Sequence, residues 1–233
     1  MADSVNPSQN VSFPSNGNEA HGYVALPEGG RGPGVIVIQE WWGLTSHIVD
    51  ITDRLAREGF VALAPDLFGG ATTHDAGEAQ KLMSSLPADR AARDLAGAVD
   101  YLLGRTEVTG EKVGAIGFCM GGGFVLTLAQ QQGDRVAAAV PFYGVMAEVP
   151  DDLSNLTADI QGHYGEQDDF VPVDGVRRLA DTIEQQAGKK PEIHFYPAGH
   201  AFCNDENLLG TYDPEQATKA WDRAVSFLHA KLG

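Results

Sequence analysis

The chain has 233 residues, 43% hydrophobic and 21% charged, which suits one α/β-sized domain with a packed core and excludes disorder as the default. Sixteen basic residues against 32 acidic ones leave a formal charge of -16, which repels phosphate backbones and anionic lipid heads and so argues against nucleic-acid and membrane-surface partners. There is no apolar run of the roughly 18 residues that a membrane span needs, and two cysteines are too few for a disulfide framework.

In chain order, residues 1–20 are polar and turn-rich and read as a loose arm or an edge strand, leaving 21–233 as a single domain. The first residues lack the basic region and apolar run of a secretory signal, so the expected setting is cytoplasmic and reducing. Short apolar runs follow, of the kind that form strands covered on both faces: Val35–Gln39, Phe60–Ala64, Lys112–Gly117, Val136–Phe142, Asp159–Tyr164 and Glu192–Tyr196, with a weaker one at Gly22–Leu26. Helical spacing separates them. Ile48, Ile51, Leu55 and Ala56 mark one helix, and Leu95, Val99, Leu102 and Leu103 the next. Phe124, Leu128 and Ala129 mark a third, Val176, Leu179, Ala180 and Ile183 a fourth, and Trp221, Ala224, Val225 and Leu228 the last. Residues 71–90 hold one further helix. The alternation predicts an α/β fold, a mostly parallel sheet with helices on both faces.

Gly117-Phe118-Cys119-Met120-Gly121 follows an apolar strand and opens a helix. This is the G-x-S-x-G pattern with Cys in place of Ser. A strand-to-helix turn tight enough to lift one side chain above a sheet puts its central residue in strained dihedrals and demands small neighbours two positions away. Amides at the start of the helix would favour a thiolate and, later, an oxyanion. The competing reading is a buried structural Cys, since free Cys packs as a small hydrophobe.

A thiol needs a base and the base an orienting acid, each on a loop after a later strand. Asp168, in Gly165-Glu166-Gln167-Asp168-Asp169, follows one strand, and His200, in Pro197-Ala198-Gly199-His200, follows the next. Asp169 competes with Asp168 and reads better as a solvated loop acid. The other histidines, His163 among them, read as surface or strand residues, and none has zinc spacing, so no metal and no cofactor are expected. After the first central strand come Gln39, Glu40, Trp41 and Trp42. The amides of Trp41 and Met120 are the expected oxyanion donors. For Glu40 two readings stand, a solvated loop acid or a carboxylate beside the thiol. The tryptophans read as one core residue and one pocket wall. Cys203 could pair with Cys119 in a redox protein, although no C-x-x-C motif is present, and a non-catalytic binding module of the same fold is the other alternative.

The segments VIVIQEWWG, FVALAPDLFGG, KVGAIGFCMGGG, PFYGV, GEQDDFVP and PAGHAF together resemble the dienelactone hydrolase (carboxymethylenebutenolidase-like) family, in its order, over roughly residues 22 to 230. The resemblance implies an α/β-hydrolase fold without a large lid and hydrolysis of a small ester or lactone through a thioester. It implies a triad of Cys119, Asp168 and His200, with Glu40 touching the resting thiol and Tyr143, Phe170 and Phe202 lining the pocket. The expected assembly is a monomer or a weak homo-oligomer. One departure bears on substrate. Asn204 stands where the family places an arginine that clamps a carboxylate, and no Arg occurs in 74–80 for the second clamp, so a neutral or differently charged ester is as compatible as dienelactone.

Overall fold

A computed structural model describes Asn6, residues 8–15 and residues 17–233. Among these are eight strands and six α-helices, and the strands form a mostly parallel sheet. The backbone gathers into two compact units, the first ending at Val113 and the second running from Gly114 to Gly233.

In the first unit, β1 (Val11–Ser15), β2 (Asn18–Ala25), β4 (Val61–Pro65) and β3 (Gly32–Ile38) lie side by side in that order. β1 and β2 form an antiparallel hairpin with Val11 opposite Gly22, and β2 pairs antiparallel with β4. β3 and β4 are parallel. The expected loose arm is therefore an edge hairpin from Val11 onward, held by Phe13, which is buried and stacks on Tyr101. Residues 1–5, 7 and 16 of that arm lie outside the described residues. Val35–Ile38 and Val61–Ala64 have no exposed surface at all, as strands covered on both faces require.

Helix α1 (Ser46–Arg57) packs on β4 with Ile48, Ile51 and Leu55, and α3 (Ala88–Leu103) buries Leu95, Ala98, Val99 and Leu102. The helix expected in 71–90 is α2 (Ala76–Ser85), started by Asp75, whose side chain accepts the Glu78 N–H at 2.9 Å. Pro87 caps α3, which starts at Ala88, seven residues before Leu95, the first apolar marker.

β5 (Val108–Phe118) crosses the boundary between the units. In the second unit, α4 (Met120–Gln132) follows it directly, and β6 (Val136–Phe142), β7 (Asp159–Gly165) and β8 (Glu192–Tyr196) run parallel in that order. α4 and α6 (Pro214–Leu232) pack on β6, and α5 (Val173–Ala187) joins β7 to β8. The longest stretches outside helices and strands are 143–158 and 197–213, too short for a lid domain. No helix among the described residues is long and apolar enough to cross a membrane.

Candidate active site

Cys119 is the single residue between the end of β5 and the start of α4. Its dihedrals, φ 54° and ψ -119°, lie where non-glycine residues are strained. Two contacts show why the chain must bend here. A Cβ on Gly117 would lie 2.4 Å from the Gly121 carbonyl oxygen, and one on Gly144 would lie 2.0 Å from the Cys119 carbonyl oxygen. The Cys119 N–H is fixed by the Phe142 carbonyl at 3.0 Å, and its own carbonyl accepts from Gly122 at 3.0 Å. The thiol is partly exposed and forms no disulfide. Met120 is the first residue of α4, so its amide belongs to the unpaired N-terminal turn, next to the sulfur in sequence.

Asp168 and His200 come together on the loops after β7 and β8. His200 Nδ1 lies 2.8 Å from Asp168 Oδ2, with the two side chains 8% and 0% exposed. Asp168 Oδ1 accepts from the Phe170 and Val171 amides, both at 2.8 Å, so the carboxylate can point only at the imidazole. Asp169 is exposed. The two loops are zipped together: the Glu166 N–H donates to the Tyr196 carbonyl at 2.7 Å and the Gln167 N–H to that of Ala198 at 3.0 Å. Thr211 donates its hydroxyl to the His200 carbonyl, and Ala201, next in the chain, takes a positive φ of 56°.

The imidazole of His200 also hydrogen-bonds the Cys119 side chain. Burial pulls its pKa down, but the bonds to Asp168 and Cys119 and the charges of both outweigh burial and raise it to about 10. A cysteine, an imidazolium and a carboxylate in this chain of contacts can carry out nucleophilic acyl transfer.

Around His200, the Tyr143 ring lies edge-on at 5.3 Å and the Phe170 ring at 5.0 Å. Tyr143 and Phe202 have no exposed surface and pack ring to ring at 5.5 Å, whereas Phe170 is 67% exposed. Asn204 is buried and shapes the turn after the histidine: its side-chain oxygen accepts from the Glu206 amide and its own amide donates to the Ala201 carbonyl, both at 2.9 Å.

In the first unit, Glu40 is 1% exposed, which overturns its reading as a solvated loop acid. Gln39, just before it, accepts the Leu67 N–H on its side-chain oxygen at 3.1 Å. Trp42 is buried and Trp41 partly exposed, their rings 5.1 Å apart and edge-on.

The sequence reading passed over His163 and Tyr196, which form a buried hydrogen-bonded pair in the second unit. A signal was available. Gln161 and His163 are two residues apart in an otherwise buried strand, hence on one face, where a polar residue needs a polar partner.

Residues 20–232 match the dienelactone hydrolase family. The chain is 38% identical to Protein usf of Aquifex pyrophilus, over 96% of its own length and 99% of that protein. It is 35% identical to an Aquifex aeolicus protein named "Putative carboxymethylenebutenolidase", with the same coverage. Among solved structures it resembles the dienelactone hydrolase-like promiscuous phosphotriesterase P91 from metagenomic libraries, with a TM-score of 0.84 and 27% identity over 96% of this chain and 97% of that one. The chain belongs to the dienelactone hydrolase family, as an α/β-hydrolase of carboxylic esters or lactones.

Proposed function

We propose that this hydrolase works through Cys119 as nucleophile, His200 as proton carrier and Asp168 as orienting acid. The observation that carries the reading is the chain of contacts from the Asp168 carboxylate through the His200 imidazole to the Cys119 side chain, with Cys119 held at the strained bend before α4. The sulfur attacks the carbonyl carbon as a thiolate, its proton resting on His200. The carbonyl oxygen takes up the negative charge and is met by the amide of Met120 at the start of α4. When the intermediate collapses, the imidazolium protonates the departing alkoxide and a thioester to Cys119 remains. His200, now neutral, takes a proton from water, and the hydroxide formed releases the acid and restores the thiolate. Asp168 stabilises the imidazolium and fixes its orientation.

The substrate is a small ester or lactone, and Phe170 offers it an exposed aromatic wall. Asn204 is committed to a turn and supplies no cation, which supports a neutral ester over one bearing a carboxylate. The family match runs unbroken over residues 20–232, which supports reading 21–233 as one hydrolase domain. A reducing, cytoplasmic setting suits the free thiol.

Cys119→Ala tests this directly. Turnover of activated short aryl esters falls by at least about 10⁴-fold while the circular dichroism spectrum is unchanged. Trapped wild-type enzyme carries the acyl mass on Cys119. A variant with wild-type rates would rule out the mechanism.

A further inference from the structure

Under the His200 loop, the second unit buries a polar chain among apolar strands. His163 in β7 is fully buried. Its Nδ1 lies 2.8 Å from the Tyr196 hydroxyl, and its Nε2 lies 3.1 Å from the side-chain oxygen of Gln161. The Gln161 Nε2 donates to Glu192 at 3.0 Å, so the oxygen is the atom it turns to the imidazole. That oxygen can only accept. The His163 proton therefore sits on Nε2, and Nδ1 accepts from the Tyr196 O–H. The Tyr196 oxygen in turn accepts from Arg223 Nη1 at 3.1 Å. Every bond now has one direction, from Arg223 through Tyr196, His163 and Gln161 to Glu192. Burial, then the nearby His194 and Arg223, hold the His163 pKa well below its usual value, so the ring stays neutral.

The pair lies where the three site-bearing segments meet. The His163 carbonyl accepts the Tyr143 N–H at 2.8 Å, and its ring stacks on Phe142 at 4.4 Å, whose carbonyl holds the Cys119 N–H. The Tyr196 carbonyl accepts the amides of Glu166, which leads to Asp168, and of Ala198, which leads to His200, both at 2.7 Å. The Tyr196 ring packs on Phe202 at 5.1 Å, and Phe202 on Tyr143. β7 and β8 are parallel, with His163 opposite His194 and Gly165 opposite Tyr196, so the side-chain bond is diagonal across the pair. The neighbouring strand β6 offers mainly small residues (Ala137, Ala138, Ala139 and Val140), which hold register only by volume. A slip by one residue would separate His163 from Tyr196 and bury both unpaired.

We propose that His163 and Tyr196 are positioning residues for the hydrolysis: their directional bond locks β7 against β8 and thereby sets the distance from Asp168 to His200 and on to Cys119. The inference rests on the Cys119–His200–Asp168 reading. Neither residue touches substrate. A site of this kind must be held to about half an ångström, and displacements of about 1 Å cost up to about a hundredfold in rate.

The test compares wild type, Tyr196→Phe and His163→Phe, with Cys119→Ala in the same aryl-ester assay. Tyr196→Phe removes one oxygen and keeps the ring packing. Its kcat is expected to fall about tenfold with KM within about twofold, and the His200 titration, followed by NMR, to move below the wild-type value. His163→Phe gives the same pattern, and the double variant adds little, because both remove the His163–Tyr196 bond on which the lock depends. In wild type, ¹⁵N shifts report His163 protonated on Nε2 alone. A proton on Nδ1, or variants that lose only melting temperature while kcat and the His200 titration stay put, would overturn the proposal. If His163→Phe does not fold, Tyr196→Phe and the wild-type tautomer still decide. An active Cys119→Ala would instead sink the nucleophile assignment and leave the tautomer measurement standing.

Discussion

His163 and His200 are both buried in the second unit, yet their environments drive them in opposite directions. His163, in the middle of a strand, meets a phenol and an amide oxygen, and burial lowers its pKa well below the usual value. His200, on the loop past the next strand, meets a carboxylate and a thiol, which overcome burial and raise its pKa to about 10. Burial alone penalises a charge. An anionic partner can more than repay that penalty and a neutral one does not. One imidazole is thereby kept neutral and the other charged.

Removing the charge that separates the two histidines breaks the comparison most severely. Asp168→Asn keeps the shape but cannot stabilise an imidazolium, and kcat for an aryl ester should fall by about 10³-fold or more, with the His200 titration moving down toward that of His163. Steady-state rates and NMR titration check it. Gly144→Ala attacks the bend instead of the charge. Its Cβ would sit 2.0 Å from the Cys119 carbonyl oxygen, with backbone on both sides, so denaturant unfolding should show a loss of about 3 kcal/mol along with lower activity.

The pH response sharpens the contrast. The His200 imidazolium has a folded pKa above its ordinary 6.5, so its contribution to stability is full below that value and is lost as pH rises through about 10. In the proposed mechanism the imidazolium protonates the leaving group, so the rate should fall over the same alkaline interval in wild type, and at lower pH in Asp168→Asn. Rate profiles and denaturant midpoints from neutral pH to pH 11 (roughly the edge of this titration) measure both. The smallest effect belongs to Asp169→Asn. That side chain is exposed, so stability should change by less than about 0.5 kcal/mol and the rate by less than about twofold.

These outcomes bear on residues that differ in how readable they were. The pattern Gly-Phe-Cys-Met-Gly after an apolar strand already located the bend, because only small residues allow so close a return of the chain. The strands Val35–Ile38 and Val136–Phe142 were visible as unbroken apolar runs, since strands covered on both faces cannot afford polar alternation. Residues 11–20 were less legible: their polar positions suit the exposed face of an edge hairpin as well as a loose arm, and what distinguishes the two is the pairing of β1 with β2.

The amino-acid order by itself determined the alternation of strands and helices, the bend at Cys119 and the placing of an acid and a histidine after successive strands, because period and turn chemistry act within a few residues. Tertiary structure decided the rest. It directed two backbone amides onto Asp168 and left Asp169 in water, took Tyr143 and Phe202 out of reach of solvent, made Asn204 a turn former, and gave His163 a partner 33 residues away. Each of those outcomes depends on which groups lie within hydrogen-bond distance once separate strands are brought into register, and local sequence does not contain that distance.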